Sequence, residues 1–122
     1  MGNPVVHFEA IGPDGPALID FYSGAFGWKI NADNPMGYGM VDSGGEGIDG
    51  GIGQAPPDGN GHHLTWYVWV EDIDAALEKI ESLGGKTINP PMEVPGGPKL
   101  AHFEDPGGNF VGLVTGEMGA SS

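Results

Sequence analysis

Residues 63–85, HLTWYVWVEDIDAALEKIESLGG, contain the pattern that decides the fold. Side chains alternate in character from His63 to Val70, which predicts a strand with its more apolar face packed on a core. Asp72 then provides a good helix N-cap, and apolar residues recur on one helical face until Gly84 and Gly85 end the helix. A strand followed by an amphipathic helix predicts an α+β unit.

Three further strands are predicted downstream of this helix. They comprise residues 86–88, 100–104 and 110–114, and the turn DPGGN at 105–109 joins the last two. The second half of the chain therefore has the element order βαβββ.

The first half repeats that order. A strand over 5–11 precedes a helix that begins at Pro16 and ends at Gly27, and three short strand segments follow at 28–30, 38–41 and 48–52. His7 and His63 lie in the first strand of each half and are 56 residues apart, which is the spacing that an internal duplication leaves.

A single domain of two βαβββ modules follows from this repeat. The predicted modules are 5–56 and 62–116, with a linker over 54–61 and a frayed tail from 115. One module has a single helix to cover its sheet and leaves the other face open, so two modules with curved mixed sheets would enclose a cleft.

The charge balance limits the partners. The chain has 17 acidic residues against four Lys and no Arg, with a formal net charge of −13. Nucleic acid and anionic membranes are recognised through Lys and Arg, and polyanionic ligands through guanidinium groups, so these partners are disfavoured. Neutral or cationic small molecules are favoured.

Sequence features also predict a cytoplasmic protein. The chain has no Cys, so disulfides, thiolate nucleophiles and sulfur-ligated zinc are excluded. The first residues, Met1 to Pro4, lack a basic region followed by an apolar stretch, and no apolar run approaches the roughly 20 residues of a membrane span.

Four segments carry a resemblance to a known family. They are DFYSGAFGW at 20–28, VEDIDAAL at 70–77, SLGGK at 82–86 and FEDPGGN at 103–109. In this order, and over nearly the whole chain, they resemble the vicinal oxygen chelate superfamily, which includes glyoxalase I, bleomycin-resistance proteins and extradiol dioxygenases. The resemblance implies a glyoxalase-like cleft and, for a chain of this size, a homodimer.

The resemblance also implies where a divalent metal ion would be held. The first-strand ligand positions fall on His7 and His63, whereas the last-strand positions fall near Gly51 and on Gly112, where no ligand side chain exists. Glu9 shares a strand face with His7 and is a candidate third ligand, and His102 is another candidate. The alternative interpretation is that both His are polar cleft residues.

Strand alternation predicts which other residues face the cleft. In the strand that begins at His63, alternate residues share its face, whereas Trp66 lies on the opposite face and is predicted to be core. The predicted ligand-binding residues are Glu9, Thr65, Tyr67, Trp69, His102 and Phe110.

Three function classes fit these observations. The first is a module that binds a neutral or cationic aromatic molecule by apolar burial and stacking. The second is a metal-dependent lyase, isomerase or dioxygenase that uses His7 and His63. The third is a structural or regulatory protein whose cleft is vestigial.

Overall fold

A computed structural model describes residues 2–45, 47–55, 63–94 and 97–116. Over these residues the chain forms two helices and eight strands. In chain order the elements are β1 Val5–Gly12, α1 Gly15–Phe26, β2 Lys29–Asn31, β3 Gly39–Asp42, β4 Gly50–Gln54, β5 His63–Trp69, α2 Ile73–Ser82, β6 Lys86–Glu93, β7 Lys99–Glu104 and β8 Phe110–Val114. The predicted α+β class and the repeated βαβββ order are confirmed.

The chain divides into two compact units. The first unit is His7–Leu64, and the second unit is Met1–Val6 with Thr65–Ser122. The N-terminal residues belong to the second unit because the Trp69 backbone N–H donates to the Pro4 carbonyl at 2.9 Å. The division into modules 5–56 and 62–116 stays a prediction.

Each unit has a mixed sheet with the same kind of connection. The strand order is β2-β3-β4-β1 in the first unit and β5-β8-β7-β6 in the second. Within each βαβββ module, the first strand in the chain pairs in parallel with the last. These pairs are β1 with β4 and β5 with β8. The remaining pairs within the units are antiparallel.

In the first unit, α1 is fixed at both ends by side-chain and backbone chemistry. The Asp14 carboxylate accepts from the Ala17 N–H at 3.1 Å, and Pro16 lies in the first turn. Gly27 ends the helix with a φ of 69°, a left-handed conformation that favours glycine. The core beneath the helix contains buried Ala10, Val41 and Ile52.

In the second unit, the Asp72 carboxylate caps α2 by accepting from the Ala75 N–H at 3.0 Å. The helix packs its apolar face on a core that includes strands β7 and β8. The buried members of that core are Val70, Ile73, Leu77, Ala101 and Leu113.

Strand β6 is longer than predicted. It runs from Lys86 to Glu93 and includes Pro90 and Pro91, with register shifts against β7. It is the terminal strand in the order of the second unit, where a proline without an N–H is tolerated.

The prediction that Trp66 is core is wrong. Its side chain is 52% exposed, and that of Leu64 on the same strand face is 76% exposed. Only the later residues of this face, Val68 and Val70, pack against the core of α2. Alternation therefore located the two faces of β5 but not how far the core extends along the strand.

Parts of the predicted linker and tail lie outside the described residues. Gln54 ends β4 and Ala55 follows it, whereas residues 56–62 are not described. At the other end, residues 115–116 are described and 117–122 are not. Neither described helix has the length and apolar character needed to cross a membrane.

Candidate functional site

In the first unit, Tyr38 contacts two of the predicted site residues, and a third is connected to them through Glu9. The Tyr38 hydroxyl donates to Glu9 Oε2 at 2.8 Å and lies 3.4 Å from His7 Nε2. The other carboxylate oxygen of Glu9, Oε1, lies 3.7 Å from His63 Nε2. His7, Glu9 and His63 are thus linked, and a phenol lies between the imidazole of His7 and the carboxylate.

Tyr38 is positioned by its loop and by the glycines of β4. The Asn34 side chain accepts from the Tyr38 N–H at 2.9 Å and donates to its carbonyl at 2.6 Å. A Cβ added at Gly51 would overlap the Tyr38 hydroxyl, and one at Gly53 would lie 3.3 Å from the ring. The alternating glycines therefore provide the flat surface on which the ring lies.

His7 is a buried, predominantly neutral imidazole at neutral pH. It is 4% exposed, and burial lowers its pKa below the ordinary value of 6.5. The negative charges of Glu9 and Asp49 act in the opposite direction and raise the pKa, but burial is the larger effect. A neutral ring has one donor and one acceptor nitrogen for its partners.

In the second unit, the buried Tyr67 and the half-buried His102 form a second phenol and imidazole pair. The Tyr67 hydroxyl lies 2.8 Å from His102 Nε2, and the Asn89 side-chain nitrogen lies 3.1 Å from His102 Nδ1. The phenol and the amide thus each lie within hydrogen-bond distance of one ring nitrogen of His102. Phe110 stacks on this imidazole with ring centroids 4.8 Å apart. Tyr67, His102 and Phe110 are therefore brought together as predicted site residues.

Thr65 and Trp69 lie on the same face of β5 as Tyr67. The Trp69 indole N–H donates to the Gly116 carbonyl at 2.8 Å, which fixes the ring at the end of the strand. Thr65 is 4% exposed, and its hydroxyl has no hydrogen-bond partner among the described residues. A buried hydroxyl in this state is uncommon in folded proteins.

The residues present do not fit the divalent ion that the resemblance implies. Among the described residues, no group of three or more His, Cys, Asp or Glu is arranged to hold a metal. At the two expected carboxylate positions the space is filled by aromatic rings, since a Cβ at Gly51 would overlap Tyr38 and one at Gly112 would overlap Tyr67. The assignment of His7 and His63 as metal ligands therefore gains no support from their surroundings.

Two residues of these clusters were not predicted as site residues. The sequence pattern places Tyr38 at the start of a predicted strand and Asn89 directly after one. For Tyr38 a signal was present, because Gly51 and Gly53 on one face of a strand leave room for a large ring. For Asn89 the sequence contains no comparable signal.

One family model matches most of the chain. The model of the glyoxalase/bleomycin resistance protein/dioxygenase superfamily matches residues 5–113. The anthracycline biosynthesis protein DnrV of Streptomyces peucetius is 32% identical over 117 residues, which cover 83% of this chain and 42% of that protein. The putative glyoxylase CFP32 of Mycobacterium bovis is 32% identical over 108 residues, which cover 82% of this chain and 41% of that protein. The chain thus spans about two fifths of the length of these curated relatives.

Solved structures show the same fold. Methylmalonyl-CoA epimerase from Mycobacterium tuberculosis superposes with a TM-score of 0.68 at 17% sequence identity, over 93% of this chain and 87% of that one. At this identity the similarity shows the fold alone.

Proposed function

Because this chain belongs to the glyoxalase/bleomycin resistance protein/dioxygenase superfamily, we propose that it binds a neutral or cationic aromatic small molecule. The observation that carries the proposal is the buried Thr65 hydroxyl, which has no partner among the described residues and lies on the same strand face as Tyr67. Leaving a hydroxyl buried without a hydrogen bond costs about 1–3 kcal/mol, and a polar group of a ligand would offset that cost. The proposed ligand-binding residues are Glu9 in the first unit and Thr65, Tyr67, Trp69, His102 and Phe110 in the second.

The charge of the protein supports the proposed ligand class. With 17 acidic residues, four Lys and no Arg, the chain attracts cations and has few groups to neutralise an anion. Glu9 is a partly exposed carboxylate within the first unit, and its surroundings suit a neutral or positive group. An acidic aromatic ligand is therefore disfavoured.

The names of the curated relatives support an aromatic ligand. Two of them, from Streptomyces strains, are described as anthracycline biosynthesis proteins, and anthracyclines are fused-ring aromatic molecules. Tyr67, His102 and Phe110 supply aromatic surface of the kind that packs against such rings.

The test compares three probes of similar ring area and different charge. They are an anthracycline with a cationic amino sugar, its neutral aglycone and an anthraquinone sulfonate, each titrated by calorimetry. We expect the first two to bind and the sulfonate to bind at least about tenfold more weakly, which is a difference of about 1.4 kcal/mol. Failure of all three to bind at their solubility limits would contradict the proposal, as would preferential binding of the sulfonate.

Thr65→Val tests the residue that carries the proposal. Loss of one hydrogen bond worth about 1 kcal/mol should raise the dissociation constant of the probe about fivefold. Thr87→Val is the matched control, since the Thr87 hydroxyl is exposed and donates to Glu81. Equal affinities for wild type and Thr65→Val would show that Thr65 does not contact the probe.

We also propose that the protein is a homodimer. Leu64 and Trp66 lie on one face of β5 and are largely exposed in the single chain, and exposed apolar clusters of this kind often mark interfaces between subunits. The mass in solution should be that of two chains by light scattering, and Trp66→Lys should shift it towards one. A wild-type monomer would contradict this proposal.

The cytoplasmic location stays a prediction.

A further inference from the structure

In the first unit, the Tyr38 ring packs directly over Gly51. Gly51 on β4 is the register partner of Glu9 on β1, so a side chain at position 51 would leave the sheet on the same face as Glu9. That side chain would overlap the Tyr38 hydroxyl. The phenol therefore occupies the volume next to Glu9 that a ligand side chain at position 51 would fill.

The same hydroxyl contacts two of the candidate ligands. It donates to Glu9 Oε2 at 2.8 Å and lies 3.4 Å from His7 Nε2. A divalent ion held by an imidazole and a carboxylate needs them at roughly 2.0–2.6 Å, with no proton between ion and ligand. An ion shared by His7 and Glu9 would therefore have to displace the Tyr38 ring.

The second unit has a corresponding arrangement. The Tyr67 ring covers Gly112, so that a Cβ there would overlap the ring, and its hydroxyl lies 2.8 Å from His102 Nε2. In both units a glycine stands at an expected carboxylate position, and a tyrosine ring packs over it next to a histidine. The pairing of glycine with tyrosine is thus a repeated feature.

We propose that Tyr38, seated on Gly51, excludes divalent metal ions from the first unit, so that His7 and Glu9 form a hydrogen-bonded polar cluster and not a metal centre. Gly51 is required because any larger residue would displace the ring. The site therefore recognises its ligand through protein donors and acceptors. This inference does not depend on which molecule is bound, so its failure would leave the aromatic-ligand proposal standing.

The experiment introduces a metal-binding side chain and removes the phenol of Tyr38. The variant Tyr38→Ala/Gly51→Glu, the variant Tyr38→His on the native Gly51, and the wild type are dialysed against Ni²⁺ or Co²⁺. Bound metal is measured by mass spectrometry of the digested protein, and the Co²⁺ absorption spectrum reports coordination by protein ligands. We expect substoichiometric metal in the wild type and about one ion per chain in at least one variant that retains the wild-type near-ultraviolet circular dichroism.

Two controls assign the effect to Tyr38 and His7. Tyr38→Phe keeps the ring on Gly51 without the hydroxyl, and it should stay metal-free if the volume of the ring excludes the ion. Adding His7→Ala to a metal-binding variant should abolish the uptake. The proposal is overturned if the wild type binds one ion that is lost in His7→Ala, or if both metal-site variants fold and neither binds metal.

Discussion

Thr65 is a residue whose burial opposes stability. Its hydroxyl has no hydrogen-bond partner among the described residues, although the residue is 4% exposed. A buried hydroxyl without a hydrogen bond costs about 1–3 kcal/mol of stability. Stability and ligand affinity should therefore respond in opposite directions to its removal.

The first prediction follows from this opposition. Thr65→Val should raise the free energy of unfolding by about 1 kcal/mol, because an isosteric apolar group replaces the buried hydroxyl. Urea unfolding of the free protein measures the change, and Thr87→Val is again the control. A loss of stability in Thr65→Val would mean that its hydroxyl contributes a stabilising interaction in the free protein.

His7 gives a prediction about pH. Burial lowers its pKa in the folded protein below the ordinary value of 6.5, so the unfolded chain binds more protons as the pH falls below that value. The contribution of neutral His7 is fully present above pH 6.5 and is lost as the pH falls towards the lower folded pKa. Wild type should thus lose more stability than His7→Gln between pH 7.5 and 5.5.

Urea unfolding of both proteins at several pH values measures this difference. Equal pH dependence in wild type and His7→Gln would contradict a lowered pKa. A direct check is the nuclear magnetic resonance titration of the His7 ring, whose midpoint should lie below 6.5.

At the scale of elements, the two helices depend on the same capping chemistry. Asp14 and Asp72 each accept a hydrogen bond from a backbone N–H three residues later. Because α2 supplies Ile73 and Leu77 to the core of the second unit, its N-terminus is coupled to the packing of that unit.

The corresponding prediction compares two aspartates of α2. Asp72→Ala should lower the free energy of unfolding by about 1 kcal/mol, since it leaves a helical N–H without its cap. Asp74→Ala is the matched control, because Asp74 lies in the first turn and does not act as the N-cap. Urea unfolding separates the two, and an equal loss in both variants would contradict the assignment of the cap.

The helices were predictable because residues close to them in sequence fix where they begin and end. Asp72, Pro16 and Gly27 act within one turn of their own helix, so the sequence placed both helices within a few residues. Tyr38 was missed as a site residue: the spacing of Gly51 and Gly53 indicates room for a ring, but which ring fills that room depends on how β4 packs, and β4 pairs with β1 far away in sequence. The extent of β6 was also missed, since edge position alone makes Pro90 and Pro91 acceptable in a strand.

In the candidate site, too, the features set by neighbouring residues were predictable and those set by long-range packing were not. Alternation predicts that Thr65 and Tyr67 share one strand face, and both are buried there, but it assigns Trp66 a core role that the structure does not support. Whether Thr65, Tyr67, Trp69, His102, Phe110 and Glu9 contact one ligand stays a prediction, as does a cleft between the modules. Such a contact depends on long-range packing and on the ligand, which strand periodicity does not encode.

For the whole molecule, the glycine content has a role in packing as well as in turns. A Cβ at Gly50 would lie 2.6 Å from the Phe8 ring, and Gly51 and Gly112 make room for Tyr38 and Tyr67. At several of the 24 glycines, an aromatic ring from a neighbouring residue thus fills the space that a side chain would occupy. Ring packing on glycine explains why β4 can be glycine-rich and still form part of a buried sheet.

The net charge of the whole molecule predicts a salt effect. With a formal charge of −13 on 122 residues, repulsion between carboxylates opposes the compact state at low ionic strength. The screening length falls from about 30 Å at 0.01 M salt to about 8 Å at 0.15 M, so added salt weakens this repulsion more in the folded protein than in the expanded chain. The midpoint of thermal unfolding should rise by about 2–5 °C over this range, which corresponds to roughly 0.5–1 kcal/mol.

Calorimetry in NaCl and KCl measures this midpoint, and the two salts should give equal shifts because screening depends on ionic strength. A neutral osmolyte at the same osmolarity should have less effect, since it does not screen charge. A midpoint that is constant or falls with salt would mean that favourable ion pairs outweigh the repulsion. With only four Lys against 17 carboxylates, most acidic groups lack a Lys or Arg counterpart, so the repulsive outcome is the expected one.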